Sequence, residues 1–335
     1  MVRVPRTDCP VDGILQIDVP WARDGADFTF LFESFAMTLV REMPVNKVSQ
    51  IINVDDNKLW RMMQYYTETA RGREDYSGVK QIGVDETSKA KGHDYVSLFV
   101  DLKKKRTIFV AEGKGSETMT AFVKDFKERH GNPKDITDVS IDMSPAFMKG
   151  VEENLPNAAI TFDKYHIMKI INAAVDSVRK AETKEQFLLR GQKYLFLKNR
   201  ENLTESQRNA LHAIESMPRI NLKTVKAYHI RENFQEIYKE ETQEGFERAL
   251  KKWYFWATHS RIEEISKAAK MVKRHWSGVL RWYVSRINNG ILEGLNSLVQ
   301  AAKAKARGYR TFKNLKAIIY MLTGKLDYTK VGLPT

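Results

Sequence analysis

Gln81-Ile82-Gly83-Val84-Asp85-Glu86-Thr87 is an apolar run that opens into acids, and its reading decides the fold. Lys80 to Val84 is too brief for a helix and is closed by polar residues. It therefore reads as a short buried strand with the Asp85 carboxylate at its polar end. Asp138-Val139-Ser140-Ile141-Asp142 repeats the pattern with Asp142. A third acid, Glu293, stands in Asn288-Asn289-Gly290-Ile291-Leu292-Glu293-Gly294 at the start of a helical segment. Two acids on strand ends and one on a helix suit a pair of hard cations, which take oxygen ligands. Such a pair serves in-line phosphoryl displacement.

Working outward, residues 79–163 alternate as β-β-β-α-β-α-β. Strands are expected at 79–85, 94–101, 106–112, 138–142 and 158–162, and helices at 116–130, capped by Ser116, and at 145–153. Three leading strands followed by strand–helix alternation give an α/β fold, a mixed sheet flanked by helices. This is the ribonuclease H-like order, in which the first and fourth strands are neighbours and Asp85 and Asp142 lie side by side.

Upstream, Phe28, Leu31, Phe32, Phe35 and Leu39 recur at helical spacing until Pro44. Val45 to Ile52 forms a second helix, Asn53-Val54 a turn, and Asp55 caps a third helix running to about Ala70. The arrangement matches a helix-turn-helix that offers Asn57, Lys58, Arg61 and Gln64 to a DNA groove. A plain helical hairpin fits the same pattern, and Asp55 and Asp56 at its leading end repel phosphate. Residues 1–25 are irregular, with prolines at 5, 10 and 20. Cys9-Pro10-Val11-Asp12-Gly13 resembles half of a zinc knuckle, but with no other cysteine a structural zinc site is not expected.

Downstream, 164–287 is helical and rich in aromatics, interrupted only by Pro218. Trp253, Trp256, Trp276 and Trp282 read as core before base-stacking platforms. Five regions follow: 1–25, 26–75 (helix-turn-helix-like), 76–166 (first part of the catalytic core), 167–287 (an all-α insertion before the last acid) and 288–335 (closing helices).

The chain has 335 residues and a net charge of +13, which favours a polyanion partner. No apolar run approaches a membrane span, and the start lacks a signal-peptide core. A single cysteine fits the cytosol. Between Ser266 and Lys316, Glu293 is the only acid among twelve basic residues. A lone carboxylate there is either a salt-bridge partner or a metal ligand where an anionic backbone must lie. No P-loop, dinucleotide fingerprint or nucleophile–base spacing is present.

Four motifs in order make the reading specific: Ile82-Gly83-Val84-Asp85-Glu86, Ile141-Asp142-Met143-Ser144-Pro145-Ala146-Phe147, Phe162-Asp163-Lys164-Tyr165-His166, and Asn288 through Asn296. Together with Val19-Pro20-Trp21-Ala22-Arg23 and Ala306-Arg307-Gly308-Tyr309-Arg310, they resemble the DDE transposases of ISL-three-type bacterial insertion sequences. The resemblance implies a ribonuclease H-like core with Asp85, Asp142 and Glu293 as catalytic and metal-binding triad. It implies two Mg²⁺ ions, for which Mn²⁺ substitutes, and cleavage and strand transfer at the ends of the element. Asp163 and His166 match an aspartate-x-x-histidine signature and are expected beside the metal ligands, not among them. Lys303, Lys305, Arg307 and Arg310 are expected on phosphates. The partner is double-stranded DNA, with a dimer or larger assembly formed on it, in a bacterial, nucleoid-associated setting. Family members carry an N-terminal zinc-binding segment, of which 1–25 reads as a remnant. A transposase-derived DNA binder without catalysis and a ribonuclease H-like nuclease are the alternative functions.

Overall fold

Thr29 caps α1 (Phe30–Glu42), its hydroxyl accepting the Phe32 N–H at 3.2 Å. Pro44 ends that helix and leads into α2 (Val45–Ile52), where a missing N–H costs nothing. Asn53, left-handed at φ 51°, stops α2. The Asp55 carboxylate accepts the Asn57 N–H at 3.0 Å and starts α3 (Asp56–Gly72). Ahead of these helices, β1 (Arg6–Cys9) and β2 (Gly13–Gln16) form an antiparallel hairpin turned through Gly13 at φ 75°.

The structure is a computed structural model describing residues 6–90, 94–217, 222–287 and 290–333. Pro5, Pro218, Asn288 and Asn289 lie outside the described residues. The larger sheet holds β3 (Gln81–Ala90), β4 (Asp94–Asp101), β5 (Arg106–Glu112), β6 (Asp138–Ile141) and β7 (Ala159–Phe162). Its order is β5-β4-β3-β6-β7, so the first and fourth of these strands are neighbours, as expected. The sheet is mixed: β4 and β5 are antiparallel, whereas β3–β6 and β6–β7 are parallel. Helix α4 (Glu117–Glu128) precedes β6, and α5 (Pro145–Asn154) joins β6 to β7.

Two expectations need correction. Strand β3 runs to Ala90, so Asp85 is its fifth residue and not its end. The polar stretch Glu86–Lys89 belongs to a strand hydrogen-bonded to β4, and Lys89 adds ion pairs to Asp94 at 3.2 Å and to Glu112. Ser116 makes no side-chain cap to α4; its own backbone is helical, and the Thr118 hydroxyl bonds the Gly115 carbonyl instead.

The chain divides into two units. One comprises Met1–Val79, Asp85–Pro133 and Leu292–Thr335 and contains the last two helices, α13 (Gly290–Ala306) and α14 (Phe312–Thr323). In its core Val48, Leu59, Met62 and Met63 of α2 and α3 meet Ile318 and Met321 of α14. On β4 and β5, Val96, Leu98 and Val110 face Val299, Leu315 and Ile319 of the closing helices. On the other face Phe99 stacks on Phe122 of α4 at 4.7 Å. Burial on both faces explains why Leu98, Phe99 and Val100 of β4 are apolar in succession.

The other unit, Lys80–Val84 with Lys134–Ile291, is mostly helical. Besides α5, its helices are α6 (Lys164–Glu182), α7 (Lys193–Leu197), α8 (Glu205–Glu215), α9 (Lys223–Ile237), α10 (Gln243–Thr258), α11 (Glu263–Arg274) and α12 (Trp276–Ser285). Buried Trp253 donates its indole N–H to the Ile230 carbonyl at 2.9 Å. Arg231, 1% exposed, donates to the side chains of Asn172 and Asn199 and to the carbonyl of Leu197. Gly278 lets α12 lie on β7, since a Cβ there would come within 2.4 Å of the Phe162 ring. From α12, Arg281 reaches Asp138 of β6 at 2.7 Å.

Candidate active site

Asp85 is half-buried and well held. Its Oδ1 accepts the Glu86 N–H at 2.8 Å, and its Oδ2 accepts the side-chain N–H of Asn296 at 2.6 Å. Asn296 belongs to α13, one turn beyond Glu293. Two further rungs join that helix to β3. Gln300 Nε2 donates to the Thr87 hydroxyl at 2.5 Å and to the Ser88 carbonyl at 3.1 Å, and Lys303 Nζ donates to the Ser88 carbonyl at 2.6 Å. Positions 296, 300 and 303 are four and three apart, so they form one stripe on the helix. Glu293 continues the stripe one turn toward the N-terminus, exposed and in the first turn, where the helix dipole favours a carboxylate.

In the other unit, Asp142 follows β6 directly, and its Oδ1 accepts the Ser144 N–H at 2.9 Å. That local bond turns the chain into α5, which begins at Pro145. His166 Nδ1 lies 4.0 Å from Asp142 Oδ2. Asp163 sets His166 in place: its N–H reaches the Ile141 carbonyl at 3.3 Å, and its carboxylate caps α6 through the Tyr165 N–H at 3.0 Å. Gly83 and Ser140 are register partners in the parallel pair of β3 and β6.

Among the described residues no cluster of three or more His, Cys, Asp or Glu is gathered to hold a metal ion. The structure brings His166 to Asp142, and the helix of Glu293 to Asp85 through Asn296. The donors at these places are hard carboxylate and amide oxygens, and they include a buried acceptor, Asn296 Oδ1, with no hydrogen-bond partner among the described residues. Oxygen donors of this kind suit a hard divalent cation, whose retained waters need acceptors. They do not suit a thiolate-seeking ion.

On α3, Asn57, Lys58 and Arg61 are exposed. Lys58 is engaged by Asp27 at 2.9 Å and lies over the Phe28 ring. Gln64 is not available to a groove, because its Nε2 donates to Asn314 at 2.8 Å. Behind the α3 face, Glu33 is fully buried and takes the Arg23 guanidinium at 3.0 Å and the Tyr66 hydroxyl. Burial, then that bond to Glu33, pushes the Tyr66 phenol well above its ordinary range. At the end of α13, Arg307 and Arg310 are exposed, while Lys305 donates to the Glu42 carbonyl. Trp253 is core as expected, whereas Trp256 is 38% exposed beside Phe255. Asn296 ends the fourth motif, and the sequence signal for its role is its position three residues after Glu293 on a helix.

The description "Transposase", in its ISL3 form, matches residues 82–319, and the "Helix-turn-helix domain of transposase family ISL3" matches residues 17–67. The transposase for insertion sequence element IS1557 of Mycobacterium tuberculosis, in each of two strains, is 25% identical over 95% of this chain and 77% of its own length. The transposase for insertion sequence element IS1001 of Bordetella parapertussis is 25% identical over 70% of this chain and 59% of its own. No helix among the described residues is long and apolar enough to cross a membrane. With all four motifs inside the matched transposase segment, which alone spans more than half of the sequence, the chain belongs to the ISL3 family of DDE transposases.

Proposed function

We propose that this transposase cleaves DNA at the ends of an insertion sequence and joins them to a target, with Asp85, Asp142 and Glu293 as its catalytic triad. The observation that carries the proposal is the ladder from α13 to β3, which ties the helix of Glu293 to the strand of Asp85. The core is ribonuclease H-like, formed by 76–166 and 288–335, with 167–287 as a helical insertion before the glutamate. Residues 26–75 recognise the element ends.

The three acids would hold two Mg²⁺ ions, and a bound pair would supply an activated water or 3′-hydroxyl and stabilise the leaving oxygen. His166 and Asp163 steady Asp142 from α6. Asn57, Lys58 and Arg61 reach DNA from α3. Arg307, Arg310 and the remaining donors of Lys303 and Lys305 hold phosphates without reading bases. Two ends must be joined in one complex, so the working form is a dimer or larger assembly on DNA, in the cytoplasm with the nucleoid.

The test is purified protein with Mg²⁺ or Mn²⁺ and DNA carrying the element ends. Nicking that disappears in Asp142→Ala supports the enzyme. Binding without nicking by the unaltered chain sinks the catalytic reading and leaves a DNA binder.

A further inference from the structure

Asn296 connects the helix of Glu293 to the carboxylate of Asp85. Its amide has two ends with different jobs. The N–H end must face Asp85, since an amide oxygen there would repel an ionised carboxylate. That leaves Oδ1 buried, and it has no hydrogen-bond partner among the described residues. A buried acceptor of this kind loses water without compensation. Gln300 and Lys303 already fasten α13 to β3, through Thr87 and Ser88. Asn296 is therefore not needed merely to keep the helix in place, and its unused oxygen sits one helical turn from Glu293, where a cation with bound waters would offer donors.

We propose that Asn296 is a positioning residue for the divalent-ion site: its N–H fixes the orientation of Asp85, and its Oδ1 accepts from a water on the ion that Asp85 holds. This rests on the triad reading given above. With Nδ2 held on Oδ2 and the Glu86 N–H held on Oδ1, the carboxylate of Asp85 is turned one way before any ion arrives. Partners that orient a ligand in this way change metal affinity by about 10–100-fold when removed. In the ion-free protein Asn296 also carries the unpaired oxygen, so its removal is not expected to lower stability in proportion.

The test uses the full chain and Mn²⁺ alone, with binding followed by the loss of the free-ion electron paramagnetic resonance signal. Thermal unfolding in EDTA is measured beside it. Asn296→Ala is expected to weaken Mn²⁺ binding about tenfold, with little change in unfolding temperature in EDTA. Asn296→Asp sets a second carboxylate against Asp85. It is expected to unfold earlier in EDTA and to regain the difference when Mn²⁺ is added. Gln300→Ala removes two bonds of the same ladder that do not touch Asp85, and its Mn²⁺ affinity is expected to stay within about twofold of the parent. Unchanged affinity in Asn296→Ala overturns the proposal, and so does an equal loss in Gln300→Ala, which would make Asn296 a fastening only. If the unaltered chain binds no Mn²⁺, or Asp85→Asn binds it equally well, the triad reading itself fails and this proposal falls with it.

Discussion

The two units hold their acids by different means. Asp85 is fixed by a side chain 211 positions away, Asn296, on a helix that is itself fastened twice more to the same strand. Asp142 is fixed by its own neighbourhood, a bond from the Ser144 N–H two residues on and a histidine at 4.0 Å. The first arrangement depends on long-range docking, the second on a turn the chain forms locally. Their sensitivity to change should differ accordingly: perturbing α13 reaches Asp85, whereas Asp142 answers to substitutions within its own loop.

The largest effect tests whether both acids serve one reaction. Asp85→Ala, Asp142→Ala and Glu293→Ala should each lower end cleavage by about 10³-fold, the scale seen when a group stabilising transition-state charge is removed. Gel assays of nicked ends would measure it. A loss confined to one acid breaks the shared-site account.

Next in size, the Glu33 pairing in the first unit should prove costly to break. Glu33→Ala takes the acceptor from the partly exposed Arg23 guanidinium and from the Tyr66 hydroxyl, at about 2–3 kcal/mol for hydrogen bonds to a charged group. Urea unfolding with the unaltered chain alongside gives the value. Replacement of Glu33 by Gln should cost less, because its amide oxygen still accepts from Tyr66.

The corresponding anchor in the second unit is Asp138, and it should be weaker. Burial opposes the charged form of Asp138, but bonds from Arg281, Thr137 and Gln81 outweigh it and hold the carboxyl below its ordinary range. The sign follows from that depression. The stability it contributes is present above the ordinary carboxylate range and is lost as pH falls through the lowered value. Arg281→Ala should cost about 2 kcal/mol at neutral pH, as for a hydrogen bond to a charged group. It should also flatten the decline in stability between neutral and acid pH.

The smallest effect sharpens the distinction between fastening and DNA contact. Arg307→Ala removes an exposed cation and should lower the slope of binding against salt by about 0.9. Lys303→Ala removes an ammonium that gives one of its three donors to the Ser88 carbonyl, and should change that slope less and the melting temperature more. Equal slopes would make Lys303 as much a phosphate contact as Arg307.

Local chemistry was legible in the sequence wherever it sets the structure. Pro44, Asn53 and Asp55 bound α2 and α3 where expected, because a proline, a left-handed turn and a side-chain cap act within a few residues. The neighbouring of β3 and β6 followed from the order of strands and helices. The far end of β3 was not legible. Glu86 to Lys89 carry no apolar signal; they belong to a strand hydrogen-bonded to β4, and Gln300, Lys303, Asp94 and Glu112 meet them only after folding. Gln64 was misread for the same reason, since nothing near it in sequence announces Asn314. At the candidate site the acids and His166 stood out by residue type and motif. Asn296 did not, because an amide declares its role only through what it touches.

Strand β3 also acts as a ruler. Its first residues take their register from β6, and Ser88 takes its place from α13. One inserted or deleted residue between those two fixings would turn Asp85 to the opposite face of the sheet. Drift in this lineage should therefore accumulate by substitution in that decapeptide and by length change only outside it.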